Sequence, residues 1–166
     1  MQLEQRSRSV ESTWSGSVPT AFDGRILGLV VILAGFAASL NVPYGGLQFA
    51  VVAFALLVAI GTVAHVLGER QLRRLTEGLL EHWLEAGAPI EDVQRSSTGL
   101  RTEWTVLTPS GEVTIGGLAL VPIGRFAVEW NGVGDSVEAS AATEHLDVLA
   151  GDLYEEIFEI EAGVQR

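Results

Sequence analysis

Cysteine is absent from the chain, which excludes disulfides, zinc–thiolate sites, iron–sulfur clusters and cysteine nucleophiles. Lysine is absent too, so all ten basic residues are arginine, set against 21 acidic residues and a net charge of −11. Binding along a phosphate backbone needs clustered Lys or Arg, so nucleic acid is not an expected partner. The third absence is positional: residues 26–67 contain no Asp, Glu, Lys or Arg.

That charge-free stretch reconciles a hydrophobic content of 48% with so large a net charge. Residues 69–166 carry eighteen acidic side chains against seven arginines, whereas residues 1–25 balance at three against three. An acidic domain of this kind repels itself in dilute buffer, and molar salt, with a Debye length of about 3 Å, removes the penalty. Acidic and free of lysine is the composition expected of an extreme halophile. A GC-rich genome accounts for the arginine bias alone, and the joint Lys and Glu enrichment of hyperthermophiles does not fit.

Residues 47–67 are an apolar run of about 31 Å as a helix, enough to cross a bilayer core of about 30 Å. Residues 26–40 give roughly 22 Å, and extending the helix to Tyr44 gives about 28 Å. Between them, Pro43, Gly45 and Gly46 supply turn chemistry. The expectation is a transmembrane hairpin over residues 25–68, with spans at about 26–44 and 47–67. Arg25 precedes it and Arg70, Arg73 and Arg74 follow it, while the turn is uncharged. The positive-inside rule then places both termini in the cytoplasm of a multi-pass protein of the cell membrane. Two plainer readings compete: a signal peptide cleaved near Ala37-Ala38-Ser39, and buried helices of a soluble protein.

The spans hold no intramembrane charge, the usual mark of an ion or proton path. His65 and Glu69 stand four apart at the cytoplasmic boundary. They suit either a pH-sensing pair or an interfacial histidine bonded to lipid or water. Small residues recur four apart at Ala34 and Ala38 and at Ala55 and Ala59, a spacing that lets helices approach closely, within the hairpin or between copies.

Residues 1–24, rich in Ser, Gln and Gly, read as a disordered tail, with Trp14 and Phe22 resting at a membrane interface. Residues 69–87 read as a juxtamembrane amphipathic helix that continues the second span: Leu72, Leu75, Leu79, Trp83 and Ala86 recur at steps of three and four, and Gly87 and Pro89 end it. The stripe packs on its own domain or forms a seam between protomers. Residues 88–166 read as an acidic α+β cytoplasmic domain. Strands at 100–108 and 112–121 flank a Pro109-Ser110-Gly111 turn, and a third covers 125–130. Asn131-Gly132 signals a further hairpin into a fourth strand at 136–140. A closing helix starts near Thr143, with an edge strand over 154–161 as the alternative. The fold class is thus a two-helix transmembrane hairpin followed by a helix, three or four antiparallel strands and a C-terminal helix.

Chemistry is sparse. His82 and His145 have no ligand-spaced partner, and neither HExxH nor GxSxG occurs. Glu91-Asp92 and Glu155-Glu156 read as solvated charge rather than acid–base pairs. Trp83, Trp104 and Trp130 fit core positions, with an aromatic recognition patch as the alternative. No cofactor, metal or catalytic residue is expected. The favoured function is a membrane-anchored interaction or adaptor module that binds lipid and a protein partner or a second copy of itself. Its rivals are a small accessory subunit of a transport or secretion complex and a membrane-bound enzyme.

Overall fold

The computed structural model describes residues 14, 16, 18–19, 24–109, 111–119, 124–130 and 133–159. Helix α1 (Gly24–Ser39) turns at Leu40 and Asn41 into α2 (Val42–Glu85), and the two pack side by side. Val30 lies against Gly61, where an added Cβ would come within 2.5 Å of the valine Cγ1, and Gly35 faces Phe54. Ala34, Ala38 and Ala50 are buried. One small-residue pair, Ala34 and Ala38, therefore serves the helix contact, whereas Ala55 and Ala59 are exposed.

The first helix is shorter than its apolar run suggested. It stops at Ser39 instead of continuing to Tyr44, because Pro43 lacks the N–H that would extend the ladder. The proline sits instead in the first turn of α2, where its missing donor costs nothing. The side-chain amide of Asn41 donates to the Ala37 carbonyl at 2.9 Å, satisfying an acceptor at the end of α1. Inside α2, Gly46 stands at φ 75° and ψ 177°, a region populated essentially by glycine, so unbroken helix begins at residue 47. From there to residue 85 it runs roughly 58 Å. Among the described residues, α2 alone is long and apolar enough to cross a membrane; α1, about 24 Å, falls short of the bilayer core by itself.

Residues 69–85 continue α2 beyond the apolar run, as the three-and-four spacing led one to expect, and of the two roles open to their apolar stripe the structure shows packing on the chain's own sheet. That sheet has five strands, not three or four, in the order β1 (Asp92–Thr98), β2 (Arg101–Thr108), β3 (Gly111–Leu118), β4 (Arg125–Trp130) and β5 (Val133–Glu138). All neighbours are antiparallel. Strand β1 has no clear sequence signature because, on the sheet edge, it buries one large apolar residue, Val93, within an otherwise polar DVQRSST. Helices α3 (Ala139–Glu144) and α4 (Leu146–Tyr154) and a π-helical turn (Glu155–Glu159) follow.

Strand alternation places Trp104, Val106, Val113, Ile115, Phe126 and Val128 on one face of the sheet, and α2 lays Leu72, Leu75, Leu79, Leu80 and Trp83 into the same core. The Trp83 indole donates to the Ala150 carbonyl at 3.1 Å and ties in α4. Part of the N-terminal segment also belongs to this core, contrary to the expectation of an unpacked tail. Val18 is 2% exposed, Trp14 packs beside it, and the Trp104 indole donates to the Pro19 carbonyl at 3.1 Å. Phe22 lies outside the described residues.

Candidate functional site

The residues singled out near the hairpin boundary lie on opposite faces of α2. His65 and Glu69 point inward. His65 is fully buried, with Nδ1 3.0 Å from the Ala119 carbonyl at the end of β3. A carbonyl only accepts, so Nδ1 is the donor of this bond. The other ring nitrogen, Nε2, is buried without a hydrogen-bond partner among the described residues. Glu69 is also buried, one turn further along. The histidine is thus not an interfacial side chain meeting lipid or water; it is a clamp between α2 and the sheet.

The arginines lie elsewhere. Arg70 and Arg74 are exposed on the flank of α2 away from the sheet. Arg73 is half-buried and bonds Glu77 at 2.9 Å, an ordinary pair one turn apart. Arg25, at the start of α1, is exposed. The antiparallel register, with Val30 at Gly61 and Gly35 near Phe54, sets Arg25 alongside His65, about 8 Å short of Arg70 along α2. Four arginines from two helices therefore lie within about 14 Å of one another along the axis of α2.

On its other face the sheet is not covered by any described helix. Here Arg101, Leu118, Arg125, Ala127 and Glu129 line a trough of about 500 Å³, with Gly117 and Gly134 in its wall. The Arg101 guanidinium crosses it to Glu129 at 3.3 Å and also meets Glu103 at 3.5 Å. The glycines are required by close approach: a Cβ at Gly117 would fall on the Arg125 carbonyl, and one at Gly134 on the Val128 carbonyl. Cross-strand adjacency of this kind brings Arg101, Leu118 and Arg125 into one row, which no sequence spacing announces.

Trp83 and Trp104 are fully buried and Trp130 is partly buried against the same core, so these three do not form a surface patch. His82 approaches Asp147 only at 3.9 Å between exposed side chains. Among the described residues no group of three or more His, Asp or Glu is placed to hold a metal ion. Neither a known protein family, nor a curated protein, nor a solved structure matches the chain.

Proposed function

We propose that the chain is a membrane-anchored interaction module. Its helical hairpin sits in lipid and holds the acidic α+β domain at the cytoplasmic surface, where the domain docks a protein partner or a second copy of itself. One observation carries the anchoring: the most apolar window of α2 is only 11% buried. Among the described residues, every large exposed hydrophobic other than Leu100 and Val148 lies between Val31 and Leu67. A soluble protein hides such a helix in its core and rarely exposes so large an apolar surface.

The burial of Val18 in the domain that follows α2, and the bond from the Trp104 indole to the Pro19 carbonyl, support both ends of the hairpin being on one side. The flanking arginines favour the cytoplasmic side. The sheet face that no described helix covers favours a docking role. A second reading, an accessory subunit of a larger membrane complex, draws on the open flank of α2 at Leu56, Ile60 and Val63.

Membranes washed at alkaline pH test the anchor: the full chain should sediment with them and enter solution only with detergent. Recovery in the wash would end this reading. Replacing residues 25–67 with an unrelated hairpin separates the two roles, because a docking module keeps its crosslinked partner or dimer and an accessory subunit loses its complex.

A further inference from the structure

We propose that the outward flank of α2 is a docking site for an anionic lipid of the leaflet next to the domain. Arg70 and Arg74 hold its phosphate, and an acyl chain lies along Ala59, Ile60, Val63, Ala64 and Leu67. The proposal rests on the membrane reading above and goes beyond it, naming a ligand class and a place.

Residues 60, 63, 67, 70 and 74 follow one another at alternating steps of three and four, and so share one stripe of the helix. Ile60, Val63 and Leu67 are 65%, 57% and 48% exposed, and the stripe borders an open groove of about 360 Å³. The sheet and α1 pack on the opposite side, at His65, Gly68 and Leu72 and at Gly61 respectively. No described element covers the groove. Glu81 and Glu85, both exposed, continue α2 beyond the arginines, so the helix passes from apolar through basic to acidic.

The spacing suits a lipid. Arg70 and Arg74 lie about 4.5 and 10.5 Å beyond Leu67 along the axis. The polar layer of one leaflet is about 5–7 Å deep; the Arg70 backbone lies within it, and the Arg74 backbone lies just beyond it, with a long side chain that tilts back toward the helix N-terminus and so toward the phosphates. Their charge is also uncompensated. Neither arginine makes an ion pair or a side-chain hydrogen bond among the described residues, although the chain holds twice as many acids as bases. Like charges four apart on a helix repel each other, and a phosphate between them converts that repulsion into charge-assisted hydrogen bonds. Arg73, on another flank and already paired with Glu77, has no such demand.

The test uses the full chain in vesicles of equal phosphatidylglycerol and phosphatidylcholine, solubilised mildly in about 1 M KCl, where the Debye length of about 3 Å suppresses diffuse attraction. Lipid that stays with the purified protein is extracted and quantified. The wild-type chain should retain phosphatidylglycerol in clear excess. Arg70→Gln and Arg74→Gln should each lower that excess about fivefold, the equivalent of about 1 kcal/mol for one net hydrogen bond to the phosphate. Arg73→Gln should leave it unchanged. Equal losses in all three variants would mean a diffuse basic field and overturn the site. So would absence of an excess, or a dimer that excludes lipid from this flank. A chain that never enters the vesicles defeats the anchoring itself, an outcome distinct from the others.

Discussion

His65 makes one hydrogen bond and leaves Nε2 buried without a partner among the described residues, yet it is the side chain through which α2 grips the end of β3. Replacing it with alanine removes the donor to a buried carbonyl and opens a cavity. The expected loss is about 1–3 kcal/mol for the stranded acceptor alone, seen as a lower midpoint in thermal unfolding followed by tryptophan fluorescence. An unchanged midpoint would show that Ala119 has another donor. Gly46 is the second residue with a sharp requirement. Gly46→Ala forces a Cβ into a conformation that costs about 1–3 kcal/mol and should loosen the turn between α1 and α2. Heightened protease cleavage near residues 40–46 in detergent checks it, with Gly45→Ala as a poor comparison because a Cβ there meets the Phe49 ring.

Among the elements, the long apolar helix was legible from charge absence and length, and its amphipathic continuation from the three-and-four spacing of leucines. The end of α1 was misread because an apolar count ignores the lost hydrogen bond at Pro43. Strand β1 was missed because a polar edge strand has no alternation to detect. The inward turn of His65 and the use of Val18 depend on contacts between residues 54 and 85 or more positions apart in sequence, which local pattern does not encode. The helix contact gives its own prediction. Gly61→Leu drives atoms into Val30, an overpacking worth about 1–3 kcal/mol, and should separate α1 from α2 in disulfide crosslinking between introduced cysteines. The N-terminal strap gives another. Trp104→Phe keeps an aromatic ring in the core but deletes the N–H that bonds Pro19. It should cost about 0.5–1.5 kcal/mol for that bond plus a cavity cost for the smaller ring, while speeding proteolysis ahead of residue 24.

Over the whole molecule, charge and apolar surface are segregated along α2, and the acidic excess lies entirely after residue 68. Self-repulsion in that domain predicts a thermal midpoint that climbs from about 0.1 M to 2 M KCl as the Debye length shrinks from about 10 Å toward 3 Å; a flat profile would remove the halophilic reading. Anchoring requires that the apolar surface exposed in the fold be covered by lipid. Because the chain has no native cysteine, single cysteines report on it cleanly. Leu56 and Val148 are comparably exposed in the fold, at 58% and 64%, one on the apolar run of α2 and the other on α4. In opened membranes without detergent, a water-soluble maleimide should label Val148→Cys rapidly and Leu56→Cys hardly at all, with detergent bringing the two rates together. Equal labelling before detergent is added would mean that water, not lipid, covers α2.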